Sequence, residues 1–506
     1  MPIVSALLLS ALVLTTSTLG VDGRLTLDTM SSSLKRMEYA VRGQVVIAAD
    51  KIQADLTAHA PGSEDFDFEK ILYTNIGNPQ SVGQKELTWP RQVLSLVDLP
   101  NEVGVDHPDV LKMYPKDAVK RAKEIKLGLG SGSGAYSHSK GAKIFRDDVA
   151  AFIKKRDDGV ASDPEDIYLT NGASAGIENV LKALIADPSC GMMIPIPQYP
   201  IYSALLDLHN GQKVPYYLDE DRCWEINIRE LERSLTAAQE AGVNVVGLVL
   251  INPGNPTGQV LSKEGVQDVV RFCAANDLVL MSDEVYQENV YDDTPFYSAK
   301  RAAYDCGLLE DDRLQLVSFH SASKGVFGEC GRRGGYMELV GFDQTVKDHL
   351  YKLASSGLCS SISGQIMISL MARGPEKGDE SYESHELEKS LIFESLKRRS
   401  KIVEAGLNAV EGMSCQPAQG AMYCFPSVQV PDRAIEAAAK LGLPPDTFYA
   451  LSLLERTGVC VVPASGFGQR KGRFGFRTTF LPQEEDLSNA VSAIRRHHEE
   501  FSLKYK

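Results

Sequence analysis

One short stretch of the sequence combines an amine, two hydroxyls and a guanidinium. Residues 318–336, SFHSASKGVFGECGRRGGY, hold a single lysine, Lys324, beside Ser321 and Ser323, and Arg333 follows nine residues later. A lysine removed from water loses its proton more readily and can attack a carbonyl carbon. Serine hydroxyls and a guanidinium fork suit phosphate oxygens. The stretch indicates a binding pocket, although a surface lysine on a glycine-rich turn is the plainer alternative.

Three other segments place small or polar residues directly after an apolar run. In TNGASAGIENVL, the N–H groups of Ala173 and Ser174 open a predicted helix and can face an anion. In INPGNPTGQV, two Asn-Pro pairs form a tight turn that presents Asn255. MSDEVYQENVY closes an apolar run with Asp283, and Tyr286 follows three residues later. Taken alone, the first two segments are more often ordinary turns or helix caps than ligand contacts, and Asp283 is as readily a helix cap as a ligand contact.

The elements around these segments alternate between apolar runs of strand length and helical patterns from residue 140 to 340. This predicts an α/β fold whose large domain has a mostly parallel sheet flanked by helices. Ligands bind such sheets at the carboxyl ends of the strands. Gly172, Tyr199, Asn255, Asp283 and Lys324 each follow or close a predicted strand, so they are expected to share one site. Beside them, Glu284 is expected to face solvent.

The remaining sequence predicts a smaller α+β domain built from both ends of the chain. Residues 1–28 begin with an apolar, signal-like run and are interpreted as a targeting segment that is absent from the mature protein. Residues 30–85 and 395–506 form the predicted small domain, and residues 86–394 form the large, ligand-binding domain. The boundary near residue 395 falls inside a predicted long helix.

Composition narrows the classes of function. The chain has 506 residues and a net charge of −14, which disfavours nucleic acid as a partner. Nine scattered cysteines without a CxxC spacing are typical of reduced thiols, and no HExxH occurs, so no metal site is predicted. The first apolar run is too short and too rich in Ser and Thr for a membrane span, so no membrane association of the mature form is expected.

Together the candidate residues describe one ligand, an aromatic aldehyde with a phosphate and a basic ring nitrogen. The lysine forms an imine with the aldehyde, and the aspartate meets the ring nitrogen. The asparagine and Tyr286 meet a ring hydroxyl, while the serines, the arginine and the helix start hold the phosphate. That ligand is pyridoxal phosphate.

The motifs NPxNPTG, SDEVY and SxSKGxxGECGxRGGY resemble those of the fold-type I, pyridoxal-phosphate-dependent aminotransferases, and most closely the alanine aminotransferase subfamily. The segments MEYAVRG, NIGNPQ, GAYSHSKG and FRTTFLP are similar to the same subfamily, and the resemblance spans roughly residues 36–500. It implies amino transfer between L-alanine and 2-oxoglutarate. Glutamate:glyoxylate aminotransferases have near-identical motifs and are the alternative, with C–S lyases or cyclopropane synthases less favoured.

The resemblance also implies individual roles at the cofactor. Lys324 carries the internal aldimine and then shuttles a proton, and Asp283 keeps the pyridine nitrogen protonated. Tyr286 and Asn255 donate to the phenolic oxygen, and Tyr199 stacks on the ring. The phosphate is held by a set of residues that resemble the family's phosphate cup: Ala173, Ser174, Ser321, Ser323 and Arg333. In most of the superfamily the arginine follows the lysine by eight residues, which leaves Arg332 as the lesser candidate.

Further positions are implied outside the cofactor's immediate surroundings. Arg477 in GFRTTF resembles the arginine that clamps the substrate α-carboxylate, with Arg473 as its rival, and Gly77 allows close approach of the substrate. Tyr136 resembles the tyrosine that reaches the neighbouring subunit's phosphate, which implies a homodimer with shared sites. Cys330 and His320 are assigned to packing, and the compartment stays open between organelle import and cytoplasm.

Overall fold

The computed structural model describes residues 24–39, 43–58, 66–310 and 313–506. Most of the predicted targeting segment therefore lies outside the described residues. Within the described part of the chain, no helix has the length and apolar character needed to cross a membrane.

A seven-stranded sheet forms the centre of the larger part. Its strands in chain order are β2 (Ile167–Asn171), β3 (Cys190–Ile196), β4 (Gln212–Tyr217), β5 (Asn244–Ile251), β6 (Val279–Asp283), β7 (Leu316–Ser321) and β8 (Gly334–Val340). They are arranged in the order β2-β8-β7-β6-β5-β3-β4, and only β8 runs antiparallel to its neighbours. The predicted mostly parallel sheet is confirmed.

Helices cover both faces of this sheet because its central strands are apolar on both sides. On β5, Leu248 and Leu250 face one layer, whereas Val249 and Ile251 face the other. One layer contains α7 (Ala173–Leu184), α8 (Ile201–Leu208) and α12 (Gln344–Ser356). The other contains α3 (Thr88–Asp98), α4 (Val110–Met113), α5 (Lys116–Leu129), α6 (Lys143–Arg156), α9 (Ile228–Glu240), α10 (Lys263–Ala275), α11 (Ala299–Asp305) and α13 (Ile362–Ala372).

A second hydrophobic core joins residues from both ends of the chain. Its helices are α2 (Gln44–Ala58), α14 (Tyr382–Asn408), α15 (Asp432–Lys440), α16 (Pro445–Thr457) and α17 (Glu484–Lys504). Its strands are β1 (Leu72–Tyr73), β9 (Met413–Ser414), β10 (Tyr423–Cys424), β11 (Ser427–Val428), β12 (Val459–Cys460), β13 (Val462–Pro463) and β14 (Phe476–Thr479). β1 pairs with β12, so the segment before residue 85 is tied to the C-terminal part.

Two segments near the domain boundaries predicted from sequence contact the large domain. The short helix α1 (Ser32–Arg36) packs on α8 of the sheet layer, and Arg36 hydrogen-bonds Asn210 beyond that helix. α14 crosses the proposed boundary near residue 395, and its Ile392 and Phe393 pack against both cores. The division at residues 85 and 395 stays a proposal.

Candidate active site

A cavity of about 280 Å³ lies at the carboxyl edge of the large sheet, where β14 and β10 approach it from the second core. It is lined by twelve residues that the sequence singled out: Gly77, Ala173, Ser174, Tyr199, Asn255, Asp283, Tyr286, Ser321, Ser323, Lys324, Arg333 and Arg477. Tyr136 is absent from this lining, and its side chain is 77% exposed. Nearly all of the predicted residues therefore meet at the carboxyl edge of the sheet, where ligand binding was expected. Tyr136 instead lies on the surface of its own subunit.

Lys324 enters the cavity from the loop after β7. Its Nζ donates to the Gly77 carbonyl oxygen at 2.7 Å and lies 5.9 Å from the centre of the Tyr286 ring. A Cβ on Gly77 would overlap the Tyr423 hydroxyl and crowd the lysine nitrogen, so only glycine fits there. Gly77 thus keeps the space beside the amine open.

Asp283 ends β6 with a carboxylate that the protein leaves short of partners. Tyr202 donates to its Oδ2 at 3.0 Å, and the Val285 N–H reaches Oδ1 only at 3.4 Å. Burial raises the pKa of Asp283 to about 6, although Tyr202, the Val285 N–H and the positive charge of Lys324 each oppose that rise. A cation inside the cavity would supply the missing partner.

The opposite end of the cavity collects donors for an anion. Gly172, at φ +74°, precedes α7, whose first N–H groups have no intrahelical partner. No side chain among the described residues caps them. A Cβ on Gly172 would overlap the Arg333 guanidinium, which shows how closely the arginine approaches this turn. Ser321 Oγ lies 3.0 Å from Ser323 Oγ and donates to the Gly334 carbonyl at 2.9 Å. Helix start, hydroxyls and guanidinium converge there as a phosphate needs.

Of the two adjacent arginines, only Arg333 lines the cavity. Its left-handed backbone, at φ +57°, turns the side chain inward, where it donates to the Asn171 carbonyl at 3.1 Å and the Cys330 carbonyl at 3.2 Å. Arg332 approaches Glu329 at 3.9 Å, outside the cavity. Between the carboxylate-clamp candidates, Arg477 lines the cavity, whereas Arg473 is half-exposed and faces Glu220 at 3.8 Å.

Arg477 is buried beneath the amine side of the cavity. It donates to Asn255 Oδ1 at 3.0 Å and to the Asn75 carbonyl at 2.5 Å, while its Nε has no partner among the described residues. The guanidinium stacks over the Tyr423 ring at 4.3 Å. A buried cation with unused donors suits a ligand carboxylate.

Three lining or supporting tyrosines were missed from sequence. Tyr423 on β10 contacts Tyr286 through their hydroxyls at 2.9 Å, and Tyr39 contacts Tyr199 at 2.8 Å. Tyr202 supports Asp283 from α8. Tyr202 follows Tyr199 by three residues, and its N–H reaches the Tyr199 carbonyl at 3.3 Å in the turn that opens α8. No local pattern marks the other two tyrosines.

One expectation about the residues that neighbour the site was wrong, and two others concern packing. Glu284 does not face solvent: it is 1% exposed and pairs with Arg156 at 3.1 Å. Cys330 lines the cavity, with Sγ 3.1 Å from the Ser323 carbonyl, and its assignment to packing stays a prediction. His320 is buried between Phe152 and Tyr336 outside the cavity lining, in agreement with a packing role.

Comparison with known proteins gives the same family along most of the chain. Residues 104–494 match the family model described as aminotransferase class I and II. The chain is 47% identical over 485 residues to a probable mitochondrial alanine aminotransferase of Dictyostelium discoideum, covering 95% of this chain and 90% of that one. It is 42% identical over 479 residues to glutamate–glyoxylate aminotransferase 1 of Arabidopsis thaliana, covering 94% and 96%.

The fold has a close counterpart among solved structures. An aminotransferase of Escherichia coli superposes with a TM-score of 0.72 at 25% identity, covering 93% of this chain and 98% of the other. The large sheet and the second core therefore have the arrangement of an aminotransferase fold.

Proposed function

The chain belongs to the class I and II aminotransferase family, and we propose that it transfers the amino group between L-alanine and 2-oxoglutarate, giving pyruvate and L-glutamate. Family membership makes it a transaminase, and that family is in general dependent on pyridoxal phosphate. The observation that carries the substrate assignment is the 47% identity to an alanine aminotransferase over nearly the whole chain.

The cavity fits pyridoxal phosphate by the chemistry of its donors. The phosphate would lie at the start of α7 with Ser321, Ser323 and Arg333, and the under-partnered Asp283 carboxylate would meet the ring nitrogen. When bound, the cofactor supplies an aldehyde that exchanges oxygen for the amino group and a ring that accepts electrons. Tyr286, Asn255 and Tyr199 line the same cavity; the first two would donate to the ring hydroxyl, and Tyr199 would cover the ring.

The chain's own residues carry the substrate and the proton. Arg477 would bind the α-carboxylate through two parallel hydrogen bonds, in exchange for its present contacts with Asn255 and Asn75. Lys324 Nζ donates a hydrogen bond to the Gly77 carbonyl. It would be the base that takes the proton from the substrate α-carbon and then delivers it to the cofactor carbon that carried the aldehyde. The buried walls around Tyr286 and Asp283 exclude water from this transfer.

Replacing the lysine tests the proposal most directly. Lys324→Ala is expected to lose turnover of alanine with 2-oxoglutarate and the cofactor's absorbance change on addition of alanine. Lys143→Ala is the matched control because that exposed lysine pairs with Asp147 far from the cavity lining. Full turnover in Lys324→Ala would refute its role.

Glutamate:glyoxylate amino transfer is the second candidate, favoured by the 42% identity over 94% of the chain. Pyruvate and glyoxylate are therefore assayed as acceptors with glutamate as donor. A strong preference for glyoxylate would replace the alanine assignment.

Two assignments concern the assembly and its location. We propose a homodimer in which Tyr136, exposed on its own subunit, contributes to the partner's phosphate site. Mass measurement in solution and cofactor affinity of Tyr136→Phe test this.

We also propose that residues 1–28 direct import into an organelle, since the relative from Dictyostelium is described as mitochondrial. A fluorescent reporter fused to residues 1–40 would show its destination.

A further inference from the structure

Tyr423 occupies a position between the two halves of the proposed reaction. It lies on β10 and is 2% exposed, and β10 pairs with β14, which carries Arg477. Its hydroxyl contacts the Tyr286 hydroxyl at 2.9 Å, and its ring lies under the Arg477 guanidinium at 4.3 Å. One side chain therefore touches the cofactor-side tyrosine with one end and the carboxylate-side arginine with its face.

The direction of the hydrogen bond between the two hydroxyls follows from the proposed role of Tyr286, and both hydroxyls are perturbed by their surroundings. Burial would raise the pKa of Tyr423, but the positive charges of Lys324 and Arg477, with the hydrogen bond to Tyr286, outweigh burial and lower it. Burial raises the pKa of Tyr286 well above its usual value. Either hydroxyl could donate by distance alone. A tyrosine hydroxyl has one proton, so when Tyr286 donates to the cofactor's ring hydroxyl, as proposed, its oxygen can only accept, and Tyr423 donates to Tyr286. Tyr199 raises the pKa of the Tyr286 hydroxyl and Cys330 raises that of the Tyr423 hydroxyl.

We propose that Tyr423 is a positioning residue with two separable contributions: its hydroxyl orients and polarises Tyr286 toward the cofactor, and its ring holds Arg477 for the substrate carboxylate. By accepting from Tyr423, Tyr286 is left with its own proton free to donate into the cavity, and chained hydrogen bonds strengthen one another. The ring supports the guanidinium by cation–π contact in a desolvated site. This inference rests on the proposed function.

Two substitutions separate the contributions. Tyr423→Phe keeps the ring and removes the hydroxyl, whereas Tyr423→Leu removes both. The first measurement is the absorbance of the holoenzyme's cofactor against pH without substrate. A weaker donor at the ring hydroxyl is expected to move the spectral midpoint upward by about half to one pH unit in both variants.

The second measurement separates KM from kcat for L-alanine. In Tyr423→Phe, KM is expected to stay within about twofold while kcat falls. In Tyr423→Leu, KM is expected to rise roughly tenfold in addition, because Arg477 loses the ring beneath it. If Tyr423 only packed in the hydrophobic core, its substitution would lower thermal stability. The spectral midpoint would not move, and the two variants would have the same KM for L-alanine.

Tyr449→Phe is the control because Tyr449 is equally buried in the second core and its hydroxyl contacts His498 away from the cavity lining. Its midpoint and KM are expected to match the unaltered enzyme. If the unaltered chain transaminates and the spectral midpoint of Tyr423→Phe equals that of the unaltered chain, the inference is overturned and the proposed function stays intact. If the unaltered chain shows no cofactor spectrum and no amino transfer, the proposed function fails instead.

Discussion

Asp283 and Glu284 are successive carboxylates at the end of β6, and they mark two differently built regions. Asp283 points to the cavity and has one tyrosine hydroxyl at 3.0 Å and one long backbone contact. Glu284 points to the opposite face of the sheet, where Arg156, the Ala299 N–H and Ser282 all donate to it at 2.9–3.1 Å. Both are buried, so exposure does not distinguish them.

The two regions differ in how completely their buried charged groups are paired. Burial raises the pKa of Glu284 as it does that of Asp283, but here three donors oppose the rise. Burial would also lower the pKa of Arg156, yet Glu284 and Asp157 outweigh that effect and raise it, so this cluster holds its own counter-charges. The cavity holds a carboxylate with too few donors, an arginine Nε without a partner and a helix start without a cap. A fully paired buried charge is typical of structure, and an under-paired one is typical of a binding site.

The largest expected effect is on the cavity side. Asp283→Asn removes the charge that would keep the cofactor's ring nitrogen protonated, so kcat/KM for alanine is expected to fall about 10³-fold. The melting temperature of the cofactor-free protein should not fall. A variant within tenfold of the unaltered rate would make Asp283 a structural cap like its neighbour.

The matching change behind the sheet is expected to affect stability instead. Glu284→Gln leaves Arg156 short of one counter-charge, which costs about 3 kcal/mol in the free energy of unfolding. Urea denaturation measures this, and kcat of the folded fraction is expected to change less than threefold. A loss of catalysis without loss of stability would contradict the proposed division between the two regions.

The comparison also predicts a pH dependence that belongs to Asp283. Folding raises its pKa from 3.8 to about 6, so the folded chain holds this proton more tightly. The resulting stability is fully present below pH 4 and is lost as the pH rises through 6, by up to about 3 kcal/mol. In cofactor-free protein, the stability of Asp283→Asn relative to the unaltered chain should therefore increase from pH 4 to pH 8. Parallel profiles for the two proteins would show that Asp283 is not perturbed.

The smallest expected effect concerns the residue that supports Asp283 from α8. Tyr202→Phe removes the hydroxyl at 3.0 Å and should raise the pKa of Asp283 further, because that hydrogen bond opposes the effect of burial. We expect kcat to fall roughly fivefold, which corresponds to about 1 kcal/mol in the activation free energy. Steady-state kinetics measures this. Tyr216→Phe is the control, since that buried hydroxyl donates only to the Val249 carbonyl.

Much of the fold was predictable because its signals are local. Apolar runs such as those that became β5 and β6 are covered on both faces, and the alternation with helices specified a mostly parallel sheet. The candidate residues after each strand gathered at one cavity since parallel strands end at the same edge. Their chemical roles are proposals that the variants above test.

The failures concern direction and distance in space. Glu284 was expected in solvent because no sequence signal showed that Arg156, 128 residues earlier, would meet it. Tyr423 was missed because its partner Tyr286 is 137 residues away. Tyr39 contacts Tyr199 across 160 residues in the same way.

The sequence by itself determined which residue types stand at the strand ends, because turn, cap and strand preferences act over a few neighbouring residues. Tertiary structure decided which of two adjacent side chains enters the cavity, as with Arg333 over Arg332 and Asp283 beside Glu284. Those choices depend on backbone angles and on partners brought from distant parts of the chain. Whether a buried charge is paired or left short of partners is therefore a property of the packed molecule.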